Sequence, residues 1–316
     1  MGRNLAFNLV QVAVILFLSP LLEGILARLE EMVQSKRGPS IFQVYRDICK
    51  LLQKDEIVSS HSSWVFRAAP YFAFTMPLFV ALLIPVLTDY PLFFAFMGDM
   101  LAVGFLFALS GSLITFAAVD TTNPYGSIGA SRSRMVSFLA EPVFMMVFFT
   151  VSFIAGSTIP YIVQKSWAFS SQIFWGPSHI LVVVAFLMLF LADENRIPVD
   201  NPHGNFELAM IGKSKYLEYS GRGAALIKWG GAMKFMVLAI VFCNVLVTPW
   251  GLASGKSVAD ILLAIPLVFA KLILFLLLLV AIESNLSKLR LFRINEFLGA
   301  SFVVCVMAMV ASLMGI

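Results

Sequence analysis

The feature that most constrains this chain is a set of eight long apolar runs. They extend roughly from Leu5 to Leu22, Tyr71 to Leu87, Leu92 to Val119, Met135 to Ala155, Ile173 to Ala192, Ala232 to Leu252, Ile261 to Ile282 and Phe297 to Ile316. A helix needs about 20 mostly apolar residues to cross a bilayer core. The runs are continuously apolar rather than alternating, so they read as helices and not barrel strands. Composition agrees, with 60% of residues hydrophobic and only 13% charged. A surplus of that size has no interior to hide in and must face lipid. A soluble enzyme, a disordered chain and a DNA-binding domain are excluded. The expected fold is all-α, a single eight-helix membrane domain over residues 1–316. The first run lacks a small-residue cleavage site and is followed by Arg28, so it reads as a retained span.

Basic residues set the expected topology. The odd-numbered connections carry seven, two, six and three Lys or Arg, eighteen in all, against three (Arg3, Lys165 and Lys256) on the other side. Lys271 lies inside a span. The odd loops should therefore face the cytoplasm and both termini outward, and the formal charge of +4 reports topology rather than nucleic-acid binding. Two of these loops are long, at about 30–67 and 193–228. Within the first, Ile41, Val44, Ile48, Leu51 and Leu52 fall at helical spacing with Arg46 and Lys50 opposite, which predicts an amphipathic helix. No fixed-period repeat appears, which argues against an inverted-repeat transporter.

Ionisable groups at membrane depth are costly unless paired or hydrated, and so are functional candidates. Glu141 lies inside the fourth span, two turns after Arg134 on the same face, and Lys271 lies inside the seventh. Glu23, Asp120 and Glu283 stand near span ends, from which a side chain also reaches water. Asp99 belongs to an outer loop if the third span starts later than Leu92. The loop after the fifth span holds Asp193, Glu194, Asp200, Glu207 and Glu218 with Arg196 among them. Crowded acids repel when ionised, which raises pKa values toward neutrality and suits a proton relay. Cys49, Cys243 and Cys305 form no CxxC, and His61, His179 and His203 show no metal-ligand spacing.

The segments Arg37-Gly38-Pro39, Glu194-Asn195-Arg196-Ile197-Pro198-Val199-Asp200 and Glu218-Tyr219-Ser220-Gly221 resemble those of the eight-helix subunit of respiratory complex I, the subunit 1 family of NADH dehydrogenases. Ile197 to Pro202, Glu207 to Ile211, Leu217 to Gly221 and Leu289 to Arg293 are closer still to the homologous subunit of group-four membrane-bound NiFe hydrogenases, the formate hydrogenlyase and hydrogenase-4 type. The resemblance covers essentially the whole chain. It implies a non-catalytic membrane-arm subunit that joins an electron-transfer arm to proton or sodium translocation. Glu194, Arg196, Asp200, Glu207 and Glu218 would be the loop members of the path, continued by Arg134 and Glu141. Glu23 would line the cavity facing the hydrophilic arm, and Arg37, with Gly38 and Pro39, would contact that arm. Lys271 is added from its place in a span.

Complex I carries further acids where this chain has His203 and Asn205, a departure that fits the hydrogenase branch. His203 would then stand in for a lost acid. The chain shows no nucleophile–base pair, P-loop, dinucleotide glycine pattern or cluster-binding cysteines. Cofactors are therefore expected on partners: NiFe-bearing large and small subunits and iron–sulfur subunits, beside antiporter-like membrane subunits. The expected location is the inner membrane of a prokaryote. Two alternatives stand beside this reading, a quinone-chamber subunit of a complex I-like dehydrogenase and a non-conducting anchor.

Overall fold

The computed structural model describes residues 2–59, 62–90, 98–169, 176–200, 211–253 and 258–314. The described residues form ten α-helices: α1 Gly2–Val33, α2 Gln43–Leu52, α3 Trp64–Leu83, α4 Met100–Asp120, α5 Pro124–Ala155, α6 Pro160–Phe169, α7 Pro177–Asp193, α8 Gly221–Ile240, α9 Val258–Asn285 and α10 Arg293–Leu313. A π-helical turn, Val241–Val247, continues α8. The only β-type pairing among them is an isolated bridge between Thr88 and Ala253. The all-α class expected from the apolar runs is therefore observed.

Among the described residues seven helices are long and apolar enough to cross a membrane, and Pro177–Asp193 is a shorter apolar helix. Several boundaries differ from expectation. Arg132 and Arg134 were expected in a loop and lie within α5, which starts at Pro124 behind an Asn123 side-chain cap. Lys228 and Lys234 likewise lie within α8, because the polar loop ends at Ser220. Asp99 is the N-cap of α4, its carboxylate accepting from the Leu101 N–H at 2.9 Å, so it belongs to the helix entry rather than to the span.

The core is organised around α8, whose membrane window is 83% buried, against 22% for α10. Apart from Arg222, Lys228 and Lys234 its sequence is apolar or small, which suits a helix with neighbours on most sides. Prolines in adjacent helices explain much of how it is held. A helix proline frees the carbonyl four residues earlier, and at membrane depth that carbonyl needs a protein partner. Pro20 frees the Leu16 carbonyl, which accepts from the Trp229 indole of α8 at 2.9 Å. Pro70 frees the Phe66 carbonyl, which accepts from the Tyr219 hydroxyl at 3.0 Å. Pro77 frees the Ala73 carbonyl, and Gly230 lets α8 approach it, since a Cβ at Gly230 would lie 2.3 Å from that oxygen. Near Pro20, α1 is also met by Tyr45 of α2, whose hydroxyl donates to the Phe17 carbonyl. Large apolar side chains such as Phe17, Phe105, Phe138, Leu274 and Met307 point outward, as lipid-facing surfaces require.

Candidate functional site: a charged cavity behind the acid-rich loop

The loop after α7 starts with a turn that its sequence specifies. Asn195 has φ of 51°, a left-handed conformation that asparagine tolerates better than most residues. The Asn195 N–H bonds the Ala192 carbonyl at 3.2 Å and the Arg196 N–H bonds the Leu191 carbonyl at 2.8 Å. This is the paired arrangement that closes a helix C-terminus. It reverses the chain and sends Arg196 back into the protein.

Arg196 then gathers three elements. Its Nη1 lies 2.6 Å from Glu30 of α1 and 3.8 Å from Glu283 of α9, and the guanidinium covers the Phe235 ring of α8 at 5.4 Å. Both glutamate side chains are 6% exposed and the arginine is 11% exposed. Beside this group, Lys234 of α8 lies 2.8 Å from Asp193 and 3.7 Å from Glu194. Glu23 of α1 also faces the same space, and its Oε2 has no hydrogen-bond partner among the described residues. Four carboxylates thus share two cations, with Glu23 beside them, an arrangement that favours proton uptake. Burial pushes the Glu194 carboxyl up to about 7, with Asp193 adding to the rise and Lys234 and Arg196 opposing it. Burial also pulls the Lys213 ammonium down from its ordinary value, against the attraction of Glu23.

All of these groups except Glu283 line one cavity of about 740 Å³. Its wall has two kinds of lining. Charged residues include Glu23, Glu30, Asp193, Glu194, Arg196, Asp200 and Lys234, and apolar ones include Ala73, Pro77, Phe107, Ile114 and Phe144; Glu141 lines it too. Lys228 at its edge bonds Asp47 of α2 at 2.6 Å. Burial would raise the Asp47 carboxyl, but the Lys228 bond overcomes it and holds the pKa below its ordinary value. The amphipathic helix expected near Ile41 to Leu52 is therefore pinned at the cavity's edge, with Val44 and Ile48 buried beneath it.

The remaining predicted residues are placed unequally. Asp200 is 3% exposed; its Oδ1 takes Lys288 at 2.7 Å and its Oδ2 takes the N–H groups of Ile211 and Gly212 at 2.7 and 3.1 Å. It lines the cavity while closing the loop. Glu218 stands aside and accepts from the Asn123 amide. Its neighbours in the Glu-Tyr-Ser-Gly motif fasten two loops together. The Ser220 hydroxyl exchanges bonds with the Ile57 N–H and carbonyl at 2.9 and 3.1 Å, and a Cβ on Gly221 would lie 2.7 Å from the Asp55 carbonyl.

Arg134 approaches Glu141 to 3.9 Å, but the pair is 44% and 36% exposed on the outer face of α5. Arg37 is exposed, and Gly38 lets its loop pass close to the Arg28 backbone. Lys271 is outside the cavity lining; it caps the far end of the π turn by donating to the carbonyls of Thr248, at 2.7 Å, and Trp250. Asp120 accepts from the Ser63 N–H at the start of α3. Glu207 and His203 lie outside the described residues.

Sequence reasoning missed Glu30 and Lys234 and left Glu283 as an end residue. A signal was present for Glu30, which follows Glu23 by seven residues and so shares its helix face. Among the described residues no group of three or more His, Cys, Asp or Glu is disposed to hold a metal ion.

The family model described as NADH dehydrogenase matches residues 6–314. The chain belongs to the NADH dehydrogenase family. Within it, this member is 30% identical to formate hydrogenlyase subunit 4 of Escherichia coli K12, covering 98% of this chain and 99% of that one. It is 31% identical to hydrogenase-4 component C of the same organism, over 100% and 98% of the two chains. Its fold matches a chain of the membrane-bound sulfane sulfur reductase, an archaeal respiratory membrane complex, at a TM-score of 0.84 and 18% identity, covering 99% and 100%. The family expected from the loop motifs is the family found. This NADH dehydrogenase family member is a multi-pass membrane protein, and its relatives are components of multisubunit redox complexes.

Proposed function

We propose that this chain is the arm-coupling subunit of a hydrogenase-type complex, passing protons between the electron-transfer arm and the membrane arm. One observation carries the reading: a buried set of carboxylates shared by Arg196 and Lys234, lining a cavity that extends to Glu141. Clustered acids in a low-dielectric setting hold protons near neutrality and release them when a neighbouring charge changes. A redox event on a docked partner supplies such a change. NiFe-bearing and iron–sulfur subunits would dock on the face that presents Arg37 and the α2 helix. The Arg134–Glu141 pair is 44% and 36% exposed beside the outward-facing Phe138, which supports an antiporter-like subunit covering it. The eighteen-to-three division of basic residues supports the acid-rich loop facing the cytoplasm, across the inner membrane of a prokaryote.

The test is coupling in inside-out vesicles carrying the whole complex. Glu141→Gln should leave assembly and hydrogen evolution intact while protons moved per electron fall. Unchanged pumping in that variant would make the chain an anchor. The cavity's apolar wall favours a second reading, a chamber for an amphiphile such as a quinone. Protection of Phe107→Cys from a thiol reagent by a short-chain quinone distinguishes it, since the first reading predicts none.

A further inference from the structure

Helix α1 carries a second buried polar feature that leads away from the loop. Asn8, Gln11, Ser19, Glu23 and Glu30 fall within one third of its circumference at 100° per residue, on the face turned into the protein. Asn8 is 4% exposed and Gln11 and Ser19 are 0% exposed. Both amide atoms of Asn8, Oε1 of Gln11, Oγ of Ser19 and Oε2 of Glu23 have no hydrogen-bond partner among the described residues. From Asn8 to Glu30 the helix rises about 33 Å, the thickness of a bilayer core. Polar atoms buried at that depth are costly unless water meets them, and here they form a line rather than a spot.

The line has two ends. At one, Glu23 and Glu30 face the charged cavity. At the other, the Gln11 amide donates to the Ala81 and Ile84 carbonyls at 2.5 and 3.2 Å, and the Tyr161 hydroxyl joins it on the Ile84 carbonyl at 3.1 Å. That end lies beside the 84–90 connection, away from the acid-rich loop. Between Gln11 and Ser19 the same face holds Val12, which is part-buried, and Ile15, which is 0% exposed.

We propose that this seam is a second, outward proton route, in which water between α1 and its neighbours carries protons from Glu23 to the Gln11 end. Ile15 is the dry constriction that keeps it closed at rest, as apolar necks close other pores. The amide and hydroxyl groups offer water both donors and acceptors and carry no fixed charge, which suits protons rather than a dehydrated metal cation. The inference rests on the reading of the chain as a proton-moving subunit, yet its test needs no redox turnover.

Inside-out vesicles carrying the whole complex are given an imposed pH gradient without electron donor, and its decay is followed with an internal pH dye. Ile15→Ser should speed the decay several-fold. Leu9→Ser, on the lipid-facing side of the same helix at 63% exposure, should not. Adding Gln11→Leu to Ile15→Ser should return the decay toward the parent rate. A leak in Ile15→Ser no greater than in Leu9→Ser, or one that Gln11→Leu leaves untouched, overturns the seam. Should Ile15→Ser fail to accumulate, Ile15→Thr keeps the branched shape and is read the same way. Redox-driven pumping in Glu141→Gln bears on the coupling reading alone, and the passive leak bears on the seam alone.

Discussion

At the scale of single residues the charged cavity is defined by who shares whom. Arg196 serves two glutamates from different helices, and Lys234 serves two acids from the loop, so neither cation has one dedicated partner. Burial pushes the Glu194 carboxyl up to about 7, and the neighbouring Asp193 and Glu23 add to the rise against Lys234 and Arg196. The linkage has a definite sign. Because the folded-state value lies above the ordinary 4.5, the folded protein binds more protons than the unfolded chain between the two values, and Glu194 lowers stability as pH rises through that window. The thermal midpoint in detergent should therefore fall as pH is raised from about 5 to about 8. Glu194→Gln should flatten that slope, and an unaltered slope would assign it to other groups. Removing a cation acts differently. Arg196→Met leaves Glu30 and Glu283 buried without their shared partner, a loss of about 3 kcal/mol or more. Glu30→Gln in the same chain should restore part of it, measured as recovery of folded protein by size-exclusion chromatography.

At the scale of elements, the packing of α8 rests on carbonyls that prolines release. Tyr219→Phe strands the Phe66 carbonyl beneath Pro70, at a cost of about 1–3 kcal/mol. Pro70→Ala returns an N–H to the helix and gives that carbonyl a partner of its own. The two changes should therefore be strongly non-additive in thermal stability, and simple additivity would show that the Tyr219 hydroxyl does not serve the proline gap. These elements also show what sequence could and could not reveal. The apolar runs and basic residues were enough to read an all-α membrane chain, and the loop motifs were enough to read its family. The roles inside the motifs were less legible. Tyr219, Ser220 and Gly221 look like part of an acid loop but work as fasteners, a role hidden because their partners at Phe66, Ile57 and Asp55 are more than 150 residues away in sequence. Lys234 was hidden for a related reason: a lysine in an apolar run declares itself only through the acids that another helix brings to it.

At the scale of the whole molecule, charge is sorted by exposure. The Arg196 pairs are buried and the Lys234 pairs part-buried, while Arg134 and Glu141 are the most exposed of these, at a separation of 3.9 Å. Glu141 lies 17 residues into the 32-residue α5, about 25 Å along it. An exposed pair at that separation adds little to the chain's own stability. Arg134→Ala should accordingly leave the thermal midpoint of the isolated subunit almost unchanged while reducing the membrane subunits that co-purify with it. A large fall in the midpoint with normal co-purification would place the pair's role inside the chain.

The proline-freed carbonyls of α1 and α3 have a consequence for how the molecule is made. Both helices leave the ribosome long before Tyr219, Trp229 and Gly230 are synthesised, so each enters the bilayer with polar groups that only a later helix can satisfy. Neither is at home in lipid by itself. Until α8 arrives they must be sheltered, by the insertion machinery or by each other. A chain truncated before residue 219 should be held there and degraded rather than persist as a half-built domain. The helix that organises the finished protein is thus also the one whose arrival lets the earlier spans settle.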